Sequence, residues 1–187
     1  MAARNEEVIY RIDRDGLLTD FNPQWDRFAA ANGSPDLNRR KIYRRLLWSF
    51  LRDPETRHAH HTLIDRARAR GGITDLPFRC DSPTLRRYMR MDILPLDGGG
   101  IEYRCRTLRT ESRPAMPLEV GFTEAPAPFV RMCSWCKKVD VGGDRWVEIE
   151  DAIAPLGLLS RERFPSVTHT ICGRCLKRLE EEEPGDG

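Results

Sequence analysis

Long apolar runs are scarce in this sequence. The longest uninterrupted one is Phe28 to Ala31 in a chain of 187 residues, far short of the roughly 20 apolar residues a helix needs to cross a bilayer. The opening "MAARNEEVIY" lacks both the basic start and the apolar centre of a secretory signal, so the reading is a soluble, cytoplasmic chain with no membrane partner. A surplus of one charge is missing too: 31 Lys and Arg against 29 Asp and Glu leave a net of +2, too balanced to imply a nucleic-acid or membrane binder by itself. No phosphate-binding Gly loop, nucleophile elbow or HExxH motif occurs, and "LDGGG" reads only as a turn, so a non-enzyme is expected.

The charge is unevenly spread. Residues 1–111 hold 21 basic and 16 acidic side chains, a net of +5, whereas residues 112–187 hold 10 and 13, a net of −3. The two regions are separated by "ESRPAMPLEVGFTEAPAPF", which has four prolines and neither a helical nor an alternating apolar period. This composition predicts an extended Pro-rich linker over 112–129. The last residues, 181–187 in "EEEEPGDG", read as a disordered acidic tail beyond a fraying helix.

Before the linker, Val8 to Tyr10 and Ile12, and then Leu17, Leu18 and Phe21, flank the turn signal "DRDG" and predict a β-hairpin. "NPQWDRFAAANG" predicts a helix with Asn22 as N-cap, Pro23 in its first turn and Asn32-Gly33 as its stop, with Trp25, Phe28 and Ala29 on one face. A basic segment, "LNRRKIYRRLLWSFL", leads to a longer helix capped by Asp53, opened by Pro54 and ended by Gly71-Gly72. Three alternating segments follow: Leu76, Phe78 and Cys80; Met89, Met91 and Ile93; Ile101, Tyr103 and Cys105. They predict three antiparallel strands, with Cys80 and Cys105 as small buried hydrophobes. Arg79, Arg90, Arg104 and Arg106, of opposite parity, form a basic strip on the outer sheet face, and a solvated face is the plain reading of it.

The fold class is therefore α+β, an antiparallel sheet with flanking helices. From about Val8 to Thr110, "IDRDGLLTDFNPQWDRFAAANG" and "FRCDSPTLRRYMRM" resemble a bacterial PAS-like subgroup. The resemblance implies a sensory or protein-interaction module over 1–111, able to homodimerise through its hairpin or outer sheet. It leaves any cofactor in the PAS-like pocket unknown. His58, His60 and His61 stand where some members carry a haem ligand, but three histidines in four positions read more plainly as surface residues. The cysteine motif of flavin-binding light sensors is absent.

Beyond the linker, "MCSWCKK" and "TICGRCLKR" supply Cys133 and Cys136, then Cys172 and Cys175. Each CxxC turn aims two sulfurs at one point, and four thiolates satisfy the tetrahedral preference of zinc. A reducing compartment disfavours structural disulfides. A thiol switch, an iron–sulfur cluster and plain buried cysteines are the other readings. Zn2+ is preferred because a module of 130–180 buries too little to fold on apolar contacts alone. His169, three residues before Cys172, is either a substitute ligand or a hydrogen-bonding support. Lys137, Lys138, Lys177 and Arg178 would offset the charge of a four-thiolate site. "DRWVEIE" predicts a short strand and "EDAIAPLGLL" a brief helix.

"MCSWCKKV", "RWVEIEDAI" and "THTICGRCL" together resemble a small cysteine-rich module at the C-terminal end of bacterial PAS and response-regulator proteins, with Thr170 where a Gly is common. The whole predicts a PAS-like domain followed by a zinc-ribbon-like module, a regulatory adaptor working through a protein partner in a signalling pathway. Oxidative zinc release and zinc-dependent nucleic-acid binding are the alternatives, the latter disfavoured by the net −3 around the cysteines.

Overall fold

The computed structural model describes residues 7–51, 53–82, 84–114, 129–158 and 167–181. Most of the expected linker (115–128) and nearly all of the acidic tail (182–187) lie outside them. The chain divides into two compact units. One comprises the residues up to Phe78 together with Arg87–Thr110, and the other joins Arg79–Arg86 to the chain from Glu111 onward. Among the described residues no helix is long and apolar enough to cross a membrane.

In the first unit, strands β1 (Val8–Ile12) and β2 (Leu18–Phe21) form the antiparallel hairpin. The Asp13 carboxylate closes its turn by accepting from the Asp15 and Leu17 amides, at 3.0 and 2.9 Å. Gly16 sits in that turn at φ +84°, and a Cβ there would lie 2.5 Å from the Trp48 indole nitrogen, so no other residue fits. Helices α1 (Gln24–Ala31) and α2 (Arg39–Ile42) follow, then the long α3 (Pro54–Arg70). As expected, Asp53 caps α3 by accepting from the Thr56 amide at 2.9 Å, and Gly71 ends it in the left-handed conformation.

Strands β3 (Ile73–Arg79), β4 (Leu85–Pro95) and β5 (Ile101–Ser112) complete a five-stranded antiparallel sheet in the order β2-β1-β5-β4-β3. β1 pairs with β5, Tyr10 opposite Tyr103, and the two rings stack 4.7 Å apart and nearly parallel. Met89, Met91, Ile93, Ile101, Tyr103 and Cys105 are buried, as their alternation predicts. Leu63, Ile64 and Ala67 of α3 are buried at i, i+1, i+4 spacing, the signature of a helix face turned to a core.

Four expectations are corrected. Asn22 does not cap α1: its side chain accepts from Ile9 and donates to the Glu7 carbonyl, tying the helix approach to β1 instead. Histidine 60 is not a surface residue; it is 8 % exposed, because it falls on the α3 face that also carries Ala59, Leu63 and Ile64, whereas His58 and His61 are exposed. Cys80 is half-buried and Arg79 buried, the reverse of the expected parity. Arg79 is the last residue of β3, and Arg79–Arg86 belong to the other unit, which buries Arg79. Arg79 therefore leaves the outer strip. The remaining Arg90, Arg104 and Arg106 hold carboxylates: Arg90 is 3.5 Å from Asp75, Arg106 is 3.1 Å from Asp92, and Arg104 shares Glu102 with Arg11.

In the second unit, β6 (Val130–Cys133), β7 (Val139–Asp140), β8 (Trp146–Val147) and β9 (Val167–Thr170) form a four-stranded sheet in the order β8-β7-β6-β9. β6 and β9 are parallel and the others antiparallel. The strand expected in "DRWVEIE" is only Trp146–Val147, since Glu148 already precedes helix α4 (Ile149–Ala152). Helix α5 (Gly173–Glu181) ends the described chain. The apolar cluster is small: Val130, Val139, Ile149, Ala152 and Leu158, with a few half-buried neighbours.

Candidate metal centre

Parallel pairing of β6 with β9 brings the two cysteine pairs together. Cys133, the last residue of β6, stands opposite Thr170, the last of β9, so each strand delivers its chain to a CxxC segment at the same end of the sheet. The first knuckle turns back sharply: Lys137 donates to the Cys133 carbonyl at 2.9 Å and Cys133 to that of Lys138 at 2.8 Å, with Lys137 at φ +60°. A further bond, Ser134 N–H to Thr170 O at 2.7 Å, joins the knuckles. In the second, Cys172 precedes α5 and Cys175 lies in its first turn, buried on the face that also carries Leu179.

The sulfurs of Cys133, Cys136, Cys172 and Cys175 all lie within 4.8 Å of one another, and Cys136 Sγ is 3.9 Å from Cys172 Sγ. A regular tetrahedron with metal–sulfur arms of about 2.3 Å has sulfur–sulfur edges of about 3.8 Å. The quartet therefore fits one thiophilic cation. Three of the four residues are buried and Cys136 is half-buried.

Backbone N–H groups already face the sulfur that would carry charge. Cys133 Sγ accepts from the amides of Cys136 and Cys172, at 3.5 and 3.4 Å. Hydrogen bonds from the Cys136 and Cys175 thiols, reinforced by those amides, pull the Cys133 thiol far below the usual range. Donating to Cys133 and partly desolvated, Cys136 is pushed up to about 12, and Cys175 is raised for the same reasons. Packed this closely, thiolates repel one another, and each further ionisation is disfavoured. A cation placed among the four would relieve that repulsion, so the cluster is suited to holding a metal ion.

His169 is exposed on β9 and stands outside the sulfur cluster, so the set that converges is four cysteines without it. Cys80 and Cys105 are not in the cluster. Of the lysines expected to offset the site's charge, Lys137 bonds the Ser134 carbonyl at 2.7 Å and Lys177 lies 3.6 Å from Glu181.

Sequence reasoning missed one neighbour of this site. Arg79 donates its backbone N–H to the carbonyl of Trp135, between the first two cysteines, at 3.0 Å. Its guanidinium bonds both oxygens of Glu148, at 2.9 and 2.7 Å, and also the Asp81 carboxylate. Burial alone would lower the guanidinium's proton affinity, and these two carboxylates outweigh it, holding Arg79 firmly charged. An isolated arginine in a strand carries no sequence signal for partners 69 residues away. Neither a scan against protein-family models nor a search of curated proteins finds a match to this chain.

Proposed function

We propose that this chain is a non-catalytic regulatory adaptor of the cytoplasm: a PAS-like sensory or interaction domain joined to a zinc-stabilised, zinc-ribbon-like module and acting through a protein partner. The observation that carries the reading is the convergence of four sulfurs from two CxxC segments within 4.8 Å. Four protein ligands fill the coordination of Zn2+ and leave no position for a substrate or an activated water, so the ion's work is to hold the module together. Sulfur-only ligation favours zinc among the common divalent ions. The PAS-like part rests on the α+β order and on a sheet whose N-terminal hairpin lies at one edge and pairs through β1 with the last strand, β5. Self-association through that hairpin or the outer sheet belongs to the same reading.

Elemental analysis with an absorbance spectrum on protein purified under reducing conditions tests it. One zinc per chain and no visible band are expected. Iron–sulfur, haem or flavin absorption, or less than stoichiometric zinc, would overturn it.

A second reading is favoured by the partial exposure of Cys136, which gives an oxidant a way in. Two thiolates would form a disulfide as peroxide is reduced to water, and zinc would leave. Peroxide titration decides: release only at doses that oxidise methionines throughout the chain removes this reading.

A further inference from the structure

The metal centre extends beyond the cysteine-rich region. We propose that Arg79 is a positioning residue for the metal, and that order in residues 79–86 is linked to metal occupancy. This inference rests on the metal reading above.

Three observations carry it. First, the segment belongs to the same compact unit as the cysteines although it lies far from them in sequence. Second, it is bracketed along its length. Arg79 holds Glu148 and Asp81, Arg113 donates to the carbonyls of Ser82 (2.8 Å, side chain) and Thr84 (3.0 Å, backbone), and Arg86 bonds Glu150 at 2.8 Å. Arg79 is 7 % exposed and the Asp81 side chain 6 %, so the contact between them is desolvated and has no water to substitute for a lost partner.

The third observation connects the segment to the sulfur. The Trp135–Cys136 peptide group accepts from the Arg79 N–H at its oxygen, 3.0 Å, and donates from its nitrogen to Cys133 Sγ, 3.5 Å. One rigid peptide plane thus lies between Arg79 and a ligand sulfur. A hydrogen bond on the oxygen polarises the N–H and strengthens its bond to the thiolate. Arg79 in turn is fixed by its ion pairs to Glu148, the residue that leads into α4 and so into the module's small apolar cluster. Displacing Arg79 lets that plane tilt, and the thiolate loses one of its two backbone donors as the turn of the first knuckle loosens.

Linkage makes the effect reciprocal: if the segment favours metal binding, metal binding orders the segment. β3 and β4 both run into residues 79–86, so the segment that reports on metal is also the connection between two strands of the PAS-like sheet. A signal that shifts this connection would alter metal affinity without touching a cysteine.

The test uses the full chain, beginning with wild-type zinc content, which decides the metal reading by itself. Zinc affinity by chelator competition is then compared for wild type, Arg79→Met, Glu148→Gln and Arg79→Lys, with cobalt spectra to report the geometry at the sulfurs. Support around a metal site is typically worth 10- to 100-fold in affinity. Arg79→Met should weaken binding about tenfold or more and shift the cobalt bands, Glu148→Gln should weaken it less, and Arg79→Lys should restore part of the loss. A brace that only stabilises the fold would lower apparent affinity through coupled folding but leave the cobalt spectrum of the loaded variants unchanged, and an unshifted spectrum in Arg79→Met therefore overturns the proposal. Should Arg79→Met not fold, hydrogen exchange in the wild type decides: the Arg79 amide should exchange at least about tenfold faster after chelation. Wild-type affinity in folded Arg79→Met and Glu148→Gln, or exchange of residues 79–86 indifferent to zinc, overturns the proposal.

Discussion

The two units of this chain reach stability by different physical routes. The first buries a continuous core of aliphatic and aromatic side chains across five strands and α3, with Tyr10 stacked on Tyr103 and Trp25 packed against Tyr10 and Phe21. Among the described residues the second has a five-residue buried apolar cluster, short strands, four converging sulfurs and buried ion pairs of Arg79. Apolar burial is non-directional and tolerates change of detail, whereas metal ligation and buried charge require a particular geometry. The lesson is that a small unit replaces area with directed contacts, and in doing so depends on particular partners.

That contrast breaks most dramatically on metal removal. A structural zinc contributes on the order of 10 kcal/mol of folding energy to modules of this kind. Chelation, or Cys175→Ser, should unfold the second unit while the first keeps its far-ultraviolet circular dichroism and its cooperative thermal transition. Loss of both units together on chelation would show that the difference drawn here is false.

Acid should act in the opposite direction, on the first unit. Burial, with the nearby His61 contributing, holds His60 down to about 4, against an ordinary value of 6.5. The folded state therefore resists protonation that the unfolded chain accepts. Stability from this group is complete above pH 6.5 and is lost as the pH falls from 6.5 to about 4, by roughly 3 kcal/mol at 1.4 kcal/mol per pH unit. His60→Leu should flatten this slope in urea titrations of the first unit. An unchanged slope would show that other groups set its acid sensitivity.

The smallest effect sharpens the comparison at one helix end. Asp53→Ala removes the acceptor for the Thr56 amide and should cost about 1 kcal/mol, read as a lower urea midpoint of the first unit with zinc content unaffected.

Much of the first unit was legible because its signals are local. Asp53, Pro54 and Gly71 mark the ends of α3 by backbone chemistry that needs no neighbour, and the two-residue period of Met89, Met91 and Ile93 is a property of any half-buried strand. The sulfur quartet was legible for a related reason, since a CxxC spacing constrains its own turn. What escaped were residues whose role depends on a distant partner. Asn22 had a helix to cap and an adjacent strand to bond, and the strand won. Histidine 60 has no feature to distinguish it from His58 and His61 except its position on a helix whose buried face tertiary packing selects.

By itself, then, the sequence determined the turns, the helix ends, the strand alternation and the four sulfurs, because each follows from interactions spanning a few residues. Only the tertiary structure decided that the parallel pairing of β6 and β9 brings the two cysteine pairs to one point. It alone decided that Arg79 is a buried ion-pair partner of Glu148 and not part of a solvated strip. Both are matters of which distant segments become neighbours. A charged side chain reads as surface until folding supplies the opposite charges that compensate its loss of water.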